Sequence, residues 1–136
     1  MIIRKSTKED YLSIVRSIQN KKIDYISPVL IKHDIELNRQ FVMVDNNNKI
    51  IAMLSLVYEP NFHYYAMKRL CVPNKKNNGK GYAQQMIKYV AEQAPGKVGS
   101  TPWIDNKAMG RILTKLGFTL EYIFNEKWCF YSKNNA

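Results

Sequence analysis

Beyond Tyr82, apolar residues return at helical spacing: Ala83, Met86, Ile87, Val90, Ala91 and Ala94 stand at i, i+3, i+4, i+7, i+8 and i+11. That rhythm predicts a helix with one apolar face, stopped by Pro95-Gly96. A similar stripe, Tyr11, Leu12, Ile14, Val15 and Ile18, follows Ser6 and Glu9 at capping-box spacing, so "STKEDYLSIVRSIQ" predicts another helix. Ser27-Pro28 joins an N-cap residue to a first-turn proline, opening a shorter helix to about Leu37. Ala108, Met109, Ile112, Leu113 and Leu116 form a last helix, capped by Asp105 or Asn106 and ended at Gly117.

Other segments read as strands. "MIIRKS" is the first; "FVMV" and "KIIAMLSLVY" flank "DNNN" as a hairpin. Another runs over residues 64–72, after the break at Glu59-Pro60-Asn61. "FTLEYIF" alternates, and "KWCFYS" completes a terminal hairpin across Asn125-Glu126. "KVGSTPWI" is poor on propensity, because Gly99 and Pro102 interrupt it. Met43, Met53 and Met67 lie in strands and are expected inside. The order β-α-α-β-β-β-α-β-α-β-β predicts one α/β domain over residues 1–136, a mixed sheet with helices on both faces.

Composition narrows the function classes. The net charge of +10 favours an anionic partner, such as a phosphorylated cofactor or nucleic acid. The lysines are spread from Lys21-Lys22 through Lys75-Lys76 to Lys133, without a long basic run, so charge alone does not choose between them. No apolar run approaches the roughly 20 residues of a membrane span, so no membrane partner is expected. "MIIRKSTKED" lacks the apolar stretch of a signal peptide, and the expected location is the cytoplasm. Cys71 and Cys129 have no neighbours at metal-ligand spacing and are expected as reduced thiols. His33 and His63 are isolated, so no metal is expected.

Chemistry concentrates in "RLCVPNKKNNGKGYAQQMIKYV", where a strand passes through a basic, glycine-containing loop into the clearest helix. A helix N-terminus presents unpaired N–H groups, and glycines admit an anion to the backbone. The loop is neither a P-loop nor a dinucleotide fingerprint, since Gly-Lys-Ser/Thr and the third glycine are missing. Lys76-x-x-Gly79-x-Gly81 after a strand resembles the coenzyme A loop of the GNAT family of N-acetyltransferases, Gln/Arg-x-x-Gly-x-Gly/Ala. "DNKAMGRILTKLGF" looks like that family's later Asn-x-x-Ala…Leu-Gly-Phe segment. The opening "IIRKSTKED" and the hairpin "FVMVDNNNKIIAMLSL" also fit, so the resemblance spans essentially the whole chain.

The resemblance implies a single GNAT-like domain, its mostly antiparallel sheet splayed in the middle, with acetyl-CoA as co-substrate. Loop amides of Lys76, Asn77, Asn78, Gly79, Lys80, Gly81 and Tyr82 would take the diphosphate. The pantetheine arm would lie along Leu70, Cys71 and Val72, with Asn106 facing the same gap. A strand N–H near Leu70 or Cys71 would stabilise the thioester oxygen. The chain departs from the family where a proton-donating tyrosine is common, since that position is Leu113. The strand before the loop carries Lys68 and Arg69, with no obvious glutamate. Glu59 and Tyr65, with Tyr64 and His63, are expected near the acceptor side; Tyr82 and Tyr122 are other phenols, with packing as their default. Cys71 invites a covalent acyl-enzyme, but no histidine is placed to activate it, and a core thiol is preferred. Cys129 is expected in the core; Trp103 could wall an acceptor pocket, but a core position is preferred for it.

The implied activity is acetyl transfer to a primary amine, on a small molecule or a protein. Two alternatives remain: an acyl-CoA-binding regulatory domain without catalysis, motivated by Leu113, and a basic nucleic-acid-binding module. A hybrid places the acceptor amine on aminoacyl-tRNA. The oligomeric state stays open between monomer and homodimer.

Overall fold

The computed structural model of the chain describes every residue except Asp24 and Ala136. β1 (Ile2–Lys5) and a single 3-10 turn (Lys8–Asp10) lead into α1 (Tyr11–Asn20) and α2 (Pro28–Glu36). β2 (Gln40–Val44), β3 (Ile50–Glu59) and β4 (Tyr64–Cys71) follow as a meander. A second 3-10 turn (Lys75–Asn77) precedes α3 (Tyr82–Glu92), β5 (Lys97–Ser100), α4 (Lys107–Lys115), β6 (Thr119–Phe124) and β7 (Trp128–Asn134). The predicted order of strands and helices is the observed one.

The strands form one sheet in the order β1-β2-β3-β4-β5-β7-β6. Every neighbouring pair is antiparallel except β4 and β5. β2 shows why the centre is buried on both sides. Its Phe41 and Met43 join a core with Met86, Ile87, Val90 and Ala91 of α3 and Leu113 of α4. Its Val42 and Val44 join a second core with Ile14 and Ile18 of α1 and Ile31 and Ile35 of α2. Alternation along a strand delivers side chains to both faces, so β2 is buried at all five positions. Met43, Met53 and Met67 are interior, as expected.

The far third of the sheet is different. The core beneath α1 and α2 takes residues from β2, β3 and β4 and none from β5, β6 or β7. β6 is an edge strand exposed at all six positions, so its clean alternation does not mark a buried face. Trp103, expected in the core, is 54% exposed and meets Trp128 edge-on, with centroids 5.0 Å apart. Cys129 is buried as expected.

Local signals hold with two corrections. The first helix is entered through Thr7, not Ser6: the Thr7 amide donates to Asp10 Oδ2 at 2.7 Å, while Ser6 is buried and its hydroxyl donates to Gln40 Oε1. Leu12, counted on the apolar face of α1, is 60% exposed; the face is carried by Ile14 and Ile18. Asn106 rather than Asp105 caps α4, its Oδ1 accepting from the Met109 amide at 3.2 Å. Gly117 has a φ of 90°, the left-handed stop foreseen for that helix.

β5 forms despite its poor propensity because all four of its residues pair with β7, and its glycine makes room for a β7 side chain. A Cβ on Gly99 would stand 2.7 Å from Phe130 Cε1 and 3.1 Å from the Tyr131 carbonyl oxygen. Gly99→Ala should therefore lower the free energy of unfolding by about 1–3 kcal/mol through overpacking. A urea titration checks this; an unchanged midpoint would mean that the Phe130 ring gives way freely.

Candidate active site

The site begins at an irregularity in β4. Pairing with β3 runs in step from Glu59↔Tyr64 to Ser55↔Lys68, then resumes at Met53↔Cys71. Leu54 alone therefore opposes Arg69 and Leu70, a β-bulge. Arg69 has a φ of 58°, in the left-handed region where a side chain costs about 1–2 kcal/mol. Its guanidinium shows what offsets that cost. Nε donates to Asp34 Oδ2 at 2.7 Å, and Nη2 donates to Oδ1 at 2.8 Å.

Asp34, on α2, has no exposed side-chain surface. It also accepts from Arg39 Nε at 2.8 Å and from Ser55 Oγ at 2.6 Å. Burial by itself pushes the Asp34 carboxyl's pKa up, but hydrogen bonds from Arg69, Ser55 and Arg39 outweigh it and hold it below the usual range. This cluster escaped the sequence reading, yet two signals carry it. Asp34 interrupts the buried stripe of α2 between Ile31 and Ile35. Lys68-Arg69 puts two charged residues in succession where strand alternation would allow one.

Around the bulge the sheet is open on the β5 side. β4 and β5 pair only at Tyr65↔Val98 and Ala66↔Gly99. Residues 67–71 of β4 have no β5 partner, and a cavity of about 360 Å³ occupies the divergence, lined by Met67, Leu70, Ile87, Thr101, Asn106 and Met109 among others. The expected splay is present, and Asn106 faces it.

The glycine loop lies between β4 and α3. Gly79 and Gly81 have φ of 81° and 79°. Four of the seven amides expected to hold an anion are engaged within the loop. Lys76 donates to Asn74 Oδ1, and Asn77, Asn78 and Lys80 donate to carbonyls of Asn74, Lys75 and Asn77. Among the described residues the amides of Gly79, Gly81 and Tyr82 have no hydrogen-bond partner. The usable cradle is thus narrower than the sequence suggested, and it sits on the first turn of α3. Next to it lies a cavity of about 630 Å³, lined by Lys21, Tyr25, Leu70, Cys71 and Val72 together with loop residues that include Lys76 and Asn78. Leu70 lines both this cavity and the splay.

The remaining candidates separate. Glu59 opposes Tyr64 and shares its face, while Tyr65 belongs to the other face. Tyr65 stacks near Tyr58 at 4.8 Å and leans on the core beneath α3, away from Glu59. The phenol beside Glu59 is that of Tyr64, whose pKa is raised by burial and then by the charge of Glu59. Glu59 Oε1 lies 2.7 Å from Lys68 Nζ. The Cys71 side chain is buried in the core beneath α1 and α2, and burial pushes its thiol pKa up, so it stays protonated. Leu113 is wholly buried in the other core. Tyr82 packs against that core, whereas Tyr122 is 55% exposed. No group of three or more potential metal ligands occurs among the described residues. No helix among them is long and apolar enough to cross a membrane.

A parallel pair that splays, followed by a glycine loop at a helix start, is the fold the resemblance implied; the bulge was not expected. The sequence profile described as the acetyltransferase (GNAT) family matches residues 7–118, and the chain belongs to that family. Comparison with curated proteins finds no match. Among solved structures, a GNAT-family acetyltransferase from Bacillus cereus ATCC 10987 has a TM-score of 0.79 at 20% identity, covering 99% of this chain and 97% of its own. A spermidine N-acetyltransferase mutant from Vibrio cholerae gives 0.73 at 15%, covering 98% and 95%. A ribosomal-protein-S5-alanine acetyltransferase from Vibrio fischeri gives 0.72 at 17%, covering 98% and 92%. At these identities the likeness speaks for the fold.

The Asp34 cluster carries a pH signature. Its folded pKa lies below the unfolded value of about 3.9, so its contribution is complete above that value and is lost as pH falls through the folded pKa. Asp34→Asn should cost about 3–5 kcal/mol at neutral pH, and Ser55→Ala about 1–3. The stability of Asp34→Asn should also decline less steeply than the parent's below about pH 4. Urea unfolding measured across that range checks both; parallel acid limbs would remove Asp34 from the account.

Proposed function

We propose that the chain transfers an acetyl group from acetyl-CoA directly to a primary amine. The observation that carries this is the opened β4–β5 ladder, which leads from unpartnered amides to a cavity between the strands. The residues fit the co-substrate: the positive φ of Gly79 and Gly81 is conformationally available to glycine, and nothing lies within 4 Å of where a Cβ on Gly79 would stand. The amides of Gly79, Gly81 and Tyr82, with Lys76 and Lys80, would hold the diphosphate. The free peptide edge of β4 around Leu70, Cys71 and Val72 would pair with the amide-bearing arm, as a strand pairs with a peptide. Asn106 closes the opposite wall.

Bound there, acetyl-CoA supplies an activated acyl group whose C–S bond is exchanged for a C–N bond to the acceptor. The chain's own groups do the rest. A β4 amide at Leu70 or Cys71 stabilises charge on the acyl oxygen. Water, relaying to Glu59, takes the proton that the attacking amine must lose. Leu113 supplies no acid; a thiolate is a weak base, its conjugate acid near pKa 8.5, and water can reprotonate it. A non-catalytic acyl-CoA binder is the second reading, favoured by the burial of Leu113.

Gly79→Asp and Gly81→Asp each place a carboxylate among the amides. Coenzyme A affinity by calorimetry should fall at least about tenfold for each, with far-UV circular dichroism unchanged. Parental affinity in a folded double variant would overturn the loop assignment. Thiol release with a panel of amines separates the two readings: tight coenzyme A binding without turnover favours the binder.

A further inference from the structure

The sheet face that α1 and α2 leave bare carries a group of aromatic rings. Phe62 comes from the β3–β4 turn, Tyr64 begins β4, Tyr122 and Phe124 lie on β6, and Phe130 lies on β7. With Lys97 and Thr101 they line a cavity of about 570 Å³. Tyr64 meets Phe130 edge-on at 5.1 Å, and Tyr122 lies tilted over Phe130 at 5.2 Å. The Phe130 ring lies close over Gly99, where a Cβ would clash with it, and forms the floor. Phe62 and Tyr122 are 72% and 55% exposed, and their rings form open walls.

Three features give this cavity a ligand chemistry. Thr101 lines both the aromatic cavity and the splay between β4 and β5, so the two volumes adjoin at that residue. Its size suits one ring and a short chain, and rings at these separations accept another edge-on or offset. Its charges are already matched. Lys97 Nζ sits 3.0 Å from Glu121 Oε2 and 5.5 Å from the Phe130 centroid, while Glu59, opposite Tyr64, is paired with Lys68. No carboxylate lines the cavity, and the chain carries +10 overall, so a polyamine gains no counter-ion there.

We propose that this cavity is the acceptor subsite and that it selects a primary amine on a short arm ending in an aromatic ring. The inference rests on the transfer reaction proposed above and names its substrate class. The ring enters among Phe62, Tyr64, Tyr122 and Phe130, and the arm passes Thr101 to bring its amine to the splay. Nitrogen bonds to the acyl carbon, the C–S bond breaks to release the thiolate, and the amine's proton leaves to water. A free arylalkylamine and a peptide beginning with phenylalanine share this chemistry.

The test measures both binding and turnover on the full chain. 2-Phenylethylamine, a phenylalanine-initiated tripeptide amide, hexylamine and spermidine are titrated calorimetrically, then offered as acceptors with acetyl-CoA. At least one aromatic amine should bind and react better than hexylamine and spermidine, and Tyr122→Ala and Phe62→Ala should each weaken it about threefold to tenfold, the worth of one aromatic pair. Coenzyme A affinity should hold in both variants. Preference for hexylamine or spermidine, or variants indistinguishable from the parent, would overturn the proposal, as would a dimer in sedimentation that Tyr122→Ala dissociates. If coenzyme A binds and aromatic amines do not, only this inference fails. If coenzyme A does not bind, the transfer reading fails, and direct titration of 2-phenylethylamine into parent and Tyr122→Ala still decides the cavity.

Discussion

Asp34 is a carboxylate without exposed surface, and such a group stays charged only where donors surround it. Three elements must converge to supply them: Ser55 from β3, Arg39 from the approach to β2 and Arg69 from β4. Arg69 reaches it from a left-handed backbone at the bulge. The carboxylate therefore ties α2 to the one irregular point of β4. That point lies within the stretch of β4, residues 67–71, that has no β5 partner, and Arg69 and Leu70 line the cavity between the strands.

The two halves of the sheet follow different packing rules, and the site lies on their border. β2 and β3 are sandwiched between helix layers and read as near-continuous apolar runs. Beyond β4 the face opposite α3 carries no helix, and rings that would be core elsewhere stand at the surface. The splay and the aromatic cavity meet at Thr101, just after β5 turns away from β4.

The loop before α3 shows how few groups such a site needs. Its 3-10 turn consumes the amides of Asn77 and Asn78, and an Asn74 side chain takes that of Lys76. The glycines then bend the chain so that the amides at the head of α3 remain unpaired. Charge from Lys76 and Lys80 adds to the helix dipole at the same place.

Periodicity, caps and breakers determined the order of strands and helices, the inward face of α3 and the glycine stop of α4, because those are contests between neighbouring residues. The Lys76-x-x-Gly79-x-Gly81 pattern marked the loop for the same reason: positive φ and a helix start are local. Other features required the whole fold. Which loop amides remain free depends on hydrogen bonds the turn makes to itself, and whether Tyr64 or Tyr65 joins Glu59 depends on register across β3 and β4. Leu12, Trp103 and β6 are exposed although their patterns look buried, since burial is set by the layer packed above. Asp34 is the sharpest case. One acid in a helical stripe says nothing by itself; its partners lie 5, 21 and 35 residues away in sequence, and only the folded chain brings them to one carboxylate.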